Sequence, residues 1–584
     1  MEEQLARTGF FYRLRYLVVP FFRSERRKTA WFLTVVNVAL TLLVVAANYA
    51  IVVWNGRFYN AMQKYDVDQL WFLGFLFFGI VAVITLVSTV QQYTIQKLQV
   101  EWRAWFTNYL LGRWMRNQTH YRMQIDATKI DNPDQRISDD VDFFSGQSVN
   151  LPISALQSVV TIASFGFMLW VLSENLRMFG VYIPGMLVWF NVIYAVGGTY
   201  LLVRIGRPLF FLNNIQQRAM GDFRFELIRV RDNSETIATA HSGQAESGRL
   251  SATFAPVVEI FYRRIRRTVL VNLFSFSYTG ASGILPFLLV LPSYLAKRVL
   301  IGTVSQTFGA FNQTQSAFAF IINNFSSIGS GYLSITEWRA VIDRLYTLEV
   351  SLRFHEQNAT SPQITYRDSN DAALTIDGLT LALRDHRTLL DGLNLTVAPG
   401  DRLLISGPTG SGKSTLIRAI AGIWPFGAGE VQTPGGRVLF VPQRPYLPNG
   451  ALIQSLMFPY DEPLDPALVG DTLTRVGLGR LSSKLETAEP WDRELSPGEQ
   501  QRIAFARCIL LRPDVIILDE ATSALDEDYE ALMYRTLTEA LPHATIISVG
   551  HRSTIVKYHT RRLRLIGDGS WRDEAIAPMP AAAD

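Results

Sequence analysis

Cysteine is nearly absent from this chain: in 584 residues there is only Cys508. That excludes an intrachain disulfide framework and a cysteine-based metal site, and it leaves Cys508 as an expected small core residue. Charge is scarce as well, with 18% of residues charged against 48% hydrophobic and a mean hydropathy of +0.14. The formal net charge of +4 is small for this length. Its basic residues stand beside apolar runs, so membrane topology accounts for them and no nucleic-acid partner is implied. The first 28 residues mix charges and aromatics and show no pattern of a cleavable signal.

The low average charge conceals two unlike parts. Up to about residue 340 the chain carries long apolar runs, and 370–570 has the composition of a soluble α/β domain. Six segments have the roughly 20 residues a bilayer crossing needs. They lie near residues 30–54, 70–90, 154–172, 178–203, 268–296 and 308–333. Lys and Arg crowd one set of connections. The segment before the first span holds Arg7, Arg13, Arg15, Arg23, Arg26, Arg27 and Lys28, and residues 204–267 hold eleven arginines. Positive charge stays inside, so both termini are expected in the cytoplasm. The connection from span two to three, which holds Lys97, Arg103, Arg113, Arg116, Arg122, Lys129 and Arg136, and residues 204–267 are both long and partly helical in pattern, so spans two to five should continue past the bilayer.

The sixth segment is unlike the others. No charge occurs from residue 300 to 336, yet Asn312, Gln315, Ser316, Asn323, Ser326, Ser327 and Ser330 recur at near-helical spacing. Amides facing lipid are costly. Either they line a water-filled cavity, with Asn312, Gln315 and Asn323 as candidates, or they hydrogen-bond between helices.

Gly407, Pro408, Thr409, Gly410, Ser411, Gly412, Lys413, Ser414 and Thr415 form G-x-x-x-x-G-K-S and its next residue, between a strand-like run and a helix-like one. The glycines let successive N–H groups turn inward toward phosphates. Lys413 can reach the β- and γ-phosphates, and Ser414 can place its hydroxyl on Mg²⁺. The apolar run 515–518 ends in Asp519 and Glu520. A buried parallel strand delivers such residues to the ligand edge of a sheet. Asp519 is placed to hold Mg²⁺, and Glu520 to polarise the attacking water. Ser496, Pro497 and Glu499 read as N-cap, first-turn proline and capping-box partner of a helix, whose N-terminus is an anion site.

With this last motif the chain resembles the ATP-binding cassette transporters, whose signature is Leu-Ser-Gly-Gly-Gln. Residues 495–500 resemble it, with Pro497 and Glu499 as departures, of which Pro497 removes one N–H. By the same resemblance Gln443 matches the Gln-loop and joins Ser414 and Asp519 as a metal ligand, Asp526 closes the D-loop, and His551 is the switch histidine. The resemblance implies ATP and Mg²⁺ as cofactors. It also implies a head-to-tail homodimer in which Ser496 and Gly498 of one copy complete the nucleotide site of the other. The family's adenine-stacking aromatic has no match in residues 381–387, where Arg384 and His386 stand.

The fold implied is multidomain: an all-α six-helix transmembrane domain of exporter type, followed by an α/β P-loop cassette. The divisions expected are 1–28 interfacial segment, 29–345 transmembrane domain, 346–373 linker, 374–570 cassette and 571–584 tail. Residues 132–140, with Trp491 and the pieces 20–25, 58–63, 101–105 and 338–345, resemble two related groups. These are the peroxisomal fatty-acyl transporters and the BacA-like uptake systems for antimicrobial peptides, bleomycin and cobalamin. The expected function is ATP-driven movement of a polar, fairly large solute across the inner membrane, inward. Two alternatives stay open: an exporter of lipid, acyl or drug-like cargo, and a proton-coupled carrier with a regulatory cassette.

Overall fold

The computed structural model describes residues 8–125, 132–174, 176–177, 182–325, 335–358, 364–369, 373–385 and 387–576. Its contacts divide the chain into two units, Met1–Arg116 with Ala127–Phe354, and Asn117–Asp126 with His355–Asp584.

The first unit is helical. Helix α1 (Phe10–Arg23) is amphipathic, burying Leu17 and Phe21 and exposing Phe11. The Phe21 ring stacks on Trp102 at 5.0 Å. Next come α2 (Arg27–Gln63) and α3 (Val67–Met115), the latter N-capped by Asp66. At α3's end Asn117 and Gln118 both take positive φ, a conformation that stops a right-handed helix. Helix α4 (Thr119–Ile125) follows and is grouped with the second unit, where Ile125 packs on the core. The membrane half resumes with α5 (Val141–Ser173), α6 (Met186–Asp232), α7 (Gly243–Leu295), α8 (Ile301–Phe325) and α9 (Ile335–Asn358).

Among the described residues, five helical stretches, those containing α2, α3, α5, α6 and α7, are long and apolar enough to cross a membrane. At 1.5 Å per residue, the 49 residues of α3, 47 of α6 and 53 of α7 give rods of about 70 to 80 Å, well beyond a hydrocarbon layer of about 30 Å. Helix α8 is not among the five, because its amides lower its hydropathy, yet it packs against α2, α5, α6 and α7. Glycine permits its approach to α2: a Cβ on Gly302 would lie 2.0 Å from the Gly56 carbonyl oxygen.

Polar side chains join these helices. Thr94 Oγ1 donates to Asn37 Oδ1 (2.7 Å), and Gln91 Nε2 donates to Thr41 Oγ1 (2.8 Å), all four residues being buried. Buried Glu349 on α9 accepts from Tyr109 (2.8 Å) and Arg113 (2.5 Å) on α3. Desolvation raises the Glu349 carboxyl, and Arg113 opposes the rise. Asp140, at the end of the 132–140 motif, receives both Nε (2.7 Å) and Nη2 (2.5 Å) of Arg344 on α9.

The second unit contains two larger sheets. One has the order β1-β5-β2-β3, from β1 (Ile364–Ser369), β2 (Leu374–Ala382), β3 (Thr388–Val397) and β5 (Gly427–Pro434). The other contains β4 (Arg402–Ser406), β6 (Val438–Val441), β7 (Val515–Asp519), β8 (Thr545–Val549), β9 (Arg561–Leu565) and β10 (Trp571–Ala575), in the order β10-β9-β4-β8-β7-β6. All neighbours in this sheet are parallel except β9 and β10. Its central strands β7 and β8 are near-continuous apolar runs, as expected of a parallel sheet covered on both faces. Cys508 is fully buried in the core around Phe505 and Ile516.

Replacing Asp140 by alanine leaves Arg344 without its bidentate acceptor. The expected cost is about 2 kcal/mol, read as a lower melting temperature of the detergent-purified protein. Asp140→Glu should recover part of it.

Candidate functional site

The register of the large sheet assembles the site. Val549 on β8 pairs with Ile405 on β4 and with Asp519 on β7, and Leu518 pairs with Val441 on β6. The carboxyl ends of four adjacent parallel strands therefore lie level. The segments that leave them carry, across the sheet, the glycine loop, His551, Asp519 with Glu520, and Gln443. Ligands bind at this edge of open α/β sheets.

After β4, Gly407, Gly410 and Gly412 take φ values of 153°, 83° and 94°. A Cβ on Gly407 would meet the Leu565 carbonyl oxygen at 2.4 Å, so only glycine fits there. Helix α10 (Lys413–Ile420) begins directly behind this cradle. The Lys413 ammonium donates to the Gly407 and Pro408 carbonyls at 3.0 and 2.9 Å. Burial lowers its pKa, and Glu520 and Asp519 oppose the shift. Ser411 is buried, and its Oγ has no hydrogen-bond partner among the described residues. The Asp519 carboxyl is raised by desolvation and by Glu520, and is hydrogen-bonded by Ser414. A left-handed cradle with an orphan hydroxyl, a lysine, and a Ser–Asp pair suits a magnesium nucleotide. Bound there, ATP supplies a cleavable γ-phosphoanhydride and Mg²⁺ its charge neutralisation.

Glu520 itself has φ 49°, a left-handed conformation that costs a non-glycine residue about 1–3 kcal/mol. Its N–H donates to the Val549 carbonyl at 3.1 Å. One carboxylate oxygen accepts from Gln443 Nε2 (3.2 Å), and the other lies 3.5 Å from His551 Nε2. Two residues from distant parts of the chain, Gln443 and His551, thus converge on one carboxylate.

The signature segment is organised separately. Ser496 caps α11 (Pro497–Leu511) with both halves of the capping box formed. Against a desolvation that would raise it, Arg480 and the Ser496 N–H hold the Glu499 carboxylate down to about 2. Among the described residues, the side-chain hydrogen bonds of Ser496 run to Glu499 and none runs to the glycine loop. Gly498 lies so near the next loop that a Cβ would be 3.1 Å from the Ala524 carbonyl oxygen. Asp526 accepts from Tyr529 N (2.8 Å), capping α12 (Glu527–Ala540).

Two residues outside the sequence expectation join these pieces. Gln501 is buried and gives Nε2 to the Gln443 carbonyl (3.0 Å) and to Ser523 Oγ (3.1 Å), while its Oε1 accepts from Ala524 N (3.0 Å). Arg552 donates to the Leu525 and Ser523 carbonyls at 2.7 and 3.1 Å. Both adjoin motif residues, and only their polarity inside an apolar helix or beside a strand end hinted at a role.

The membrane candidates divide. Gln315 is engaged between helices: its Nε2 donates to Asn191 Oδ1 (2.5 Å), and its Oε1 accepts from Tyr278 (3.0 Å). At this position the hydrogen bonds to α6 and α7 agree with the interhelical alternative. Asn312 is half-buried. The Asn323 side chain, Ser326, Ser327, Ser330 and His386 lie outside the described residues. An amide groove of about 320 Å³ runs instead between α3 and α5, lined by Ser88, Gln91, Gln92, Gln96, Gln99 and Asn150 among others.

A phosphate-loop α/β unit on a chain with apolar membrane-length helices defines an ATP-dependent membrane protein. Comparison with known proteins specifies the class. Residues 17–295 match the family described as ABC transporter transmembrane region 2, and 390–523 match the family described as ABC transporter. An uncharacterized ABC transporter ATP-binding protein of Synechocystis sp. is 35% identical over 95% of this chain and 83% of its own. The inner membrane ABC transporter ATP-binding protein YddA of Escherichia coli is 30% identical over 92% and 94%. The lysosomal cobalamin transporter of Homo sapiens is 27% identical over 96% and 95%. The structure of a bacterial Atm1-family ABC exporter with ATP bound is 17% identical, covers 94% of this chain and 95% of its own, and has a TM-score of 0.63. The chain belongs to the ABC transporter family, in its half-transporter branch, and has the exporter fold. It is an ATPase coupled to membrane transport and uses ATP with Mg²⁺.

Replacing Gln501 by leucine keeps the volume but removes three hydrogen bonds. We expect a stability loss of about 2 kcal/mol, and ATP turnover falling more than the KM for ATP rises. Unchanged turnover would show that Gln501 does not position the Gln443 and Ser523 segments.

Proposed function

We propose that two copies of this chain form an inner-membrane importer for a polar, fairly large solute, of the kind represented by peptides, bleomycin-like compounds or cobalamin. Both termini and the cassette lie in the cytoplasm on this reading. The carrying observation is the amide groove between α3 and α5, where Gln92 and Gln96, beside the end of the apolar run of α3, offer exposed carboxamides to a polar solute. The name of the human relative, a lysosomal cobalamin transporter, agrees with a solute of this polarity. The clustering of Arg and Lys at the expected cytoplasmic ends supports the orientation.

In the cassette, Gly407 to Thr415 hold the phosphates, with Lys413 on the β- and γ-oxygens. Ser414, Asp519 and Gln443 hold Mg²⁺. Glu520 takes the proton of the attacking water, and His551 contacts the γ-phosphate. Ser496, Gly498 and Asp526 serve the nucleotide of the second copy. The convergence of Gln443 and His551 on Glu520 supports these roles.

Glu520→Gln should bind ATP with near-normal affinity and lose at least about a hundredfold in turnover, with transport lost in parallel. Hydrolysis at the wild-type rate would overturn the assignment of the base. Direction is read separately, by ATP-dependent uptake of labelled cobalamin or peptide. Accumulation in right-side-out vesicles loaded with ATP supports import, and accumulation in inside-out vesicles given external ATP supports the exporter alternative.

A further inference from the structure

Helices α6 and α7 enclose a groove of about 590 Å³ whose chemistry has two halves. Arg204 and Arg267 stand on one part of its wall, and Ile205, Leu270, Leu273 and Phe274 form an apolar part. A small polar anion would leave the apolar wall wet, and a neutral lipid would leave the guanidinium groups uncompensated. The combination fits an amphiphile with an anionic head.

The position along the helices agrees. Arg204 ends the uncharged stretch 178–203, and Arg267 immediately precedes the uncharged stretch 268–296. From Arg204 to the end of α6 at Asp232, and from the start of α7 at Gly243 to Arg267, there are 28 and 24 residues. At 1.5 Å each these correspond to about 42 and 36 Å. Both arginines therefore lie at the same level of the hairpin, where hydrocarbon gives way to headgroups.

Their charge has no local answer. Helix α6 carries no acidic residue before Asp222, and α7 none after Glu259. Glu259 is held by Arg263, and Arg264 is held by Gln216. Among the described residues Arg204 and Arg267 have no ion-pair partner. Pro208, also on the groove wall, has no N–H for the Arg204 carbonyl four residues earlier. An acceptor is thereby freed beside the two guanidinium donors, suited to a headgroup hydroxyl.

We propose that this groove is a binding site for one anionic phospholipid of the cytoplasmic leaflet, of phosphatidylglycerol type. Its phosphate bridges Arg204 and Arg267, and an acyl chain lies along Leu270, Leu273 and Phe274. Basic pockets between membrane helices on the cytoplasmic side recognise such lipids. The site is distinct from the amide groove and from the nucleotide site.

The test uses the full chain purified from membranes and exchanged into micelles containing equal amounts of phosphatidylglycerol and phosphatidylcholine. Native mass spectrometry then reads the retained lipid. Two arginines at the headgroup level predict about a thirtyfold preference for phosphatidylglycerol. The double variant R204Q/R267Q should abolish the preference, and R204K/R267K should restore most of it. R207Q/R266Q, with the same loss of charge on residues outside the groove wall, should leave it intact. ATP hydrolysis by all variants checks that they are folded, and if R204Q/R267Q does not fold, the lysine and outer-arginine variants still decide the matter. Four results would overturn the proposal. One is equal retention of both lipids by the wild type, as expected if a second copy of the chain seals the groove. A second is an unaltered preference in R204Q/R267Q. A third is equal loss in R207Q/R266Q, and the fourth is displacement of the lipid by excess inorganic phosphate.

Discussion

The nucleotide site depends on one alignment of backbone. Ile405, Val549 and Asp519 lie side by side in adjacent parallel strands, with Leu518 opposite Val441 one strand further. A one-residue slip in a buried strand would reverse its faces. The apolar content of β7 and β8 forbids intermediate compromises only in part, since both faces are buried. The tighter lock is at the ends, where the Glu520 N–H reaches the Val549 carbonyl. That bond fixes β7 against β8 at the point where the carboxylate leaves the sheet. Glycine loop, acid, glutamine and histidine are consequences of this alignment as much as of their own chemistry.

Beyond the strand ends, buried polar side chains do the joining. Gln501 connects the signature helix to the Gln443 segment and to the loop at Ser523, while Arg552 holds the same loop from beside His551. In the membrane unit Asp140 with Arg344, and Glu349 with Tyr109 and Arg113, tie α9 back to earlier helices. Each such group is satisfied on at least one atom, and removing its partner would leave an expensive buried charge or dipole. Polar joints of this kind specify one arrangement among the several that apolar helix faces would accept.

The sequence made much of this legible, for identifiable reasons. Glycines at 407, 410 and 412 carry a conformational requirement that local spacing reveals, and the run 515–518 ends in its two acids without any long-range information. Five of the six expected spans were readable from composition as long apolar helices, and the capping box at Ser496 and Glu499 from a four-residue pattern. The amides of the sixth span were read in two ways, and Gln315 proved to serve Asn191 and Tyr278, because pairing across helices has no local signature. The Gln91, Gln92, Gln96 and Gln99 face went unread for a related reason: it straddles the end of an apolar run, where hydropathy averages hide it. The left-handed break at Asn117 and Gln118 was equally silent, since neither is glycine.

Lys413 spends its ammonium on the carbonyls of Gly407 and Pro408, within the loop that it serves. An arriving phosphate therefore competes with the protein for the same donor. Each charged hydrogen bond given up is worth about 1.5–3 kcal/mol, and that amount is subtracted from the gross attraction of a highly charged ligand. The two carbonyls also hold the ammonium over the loop, so its position is set by the backbone before any phosphate is engaged.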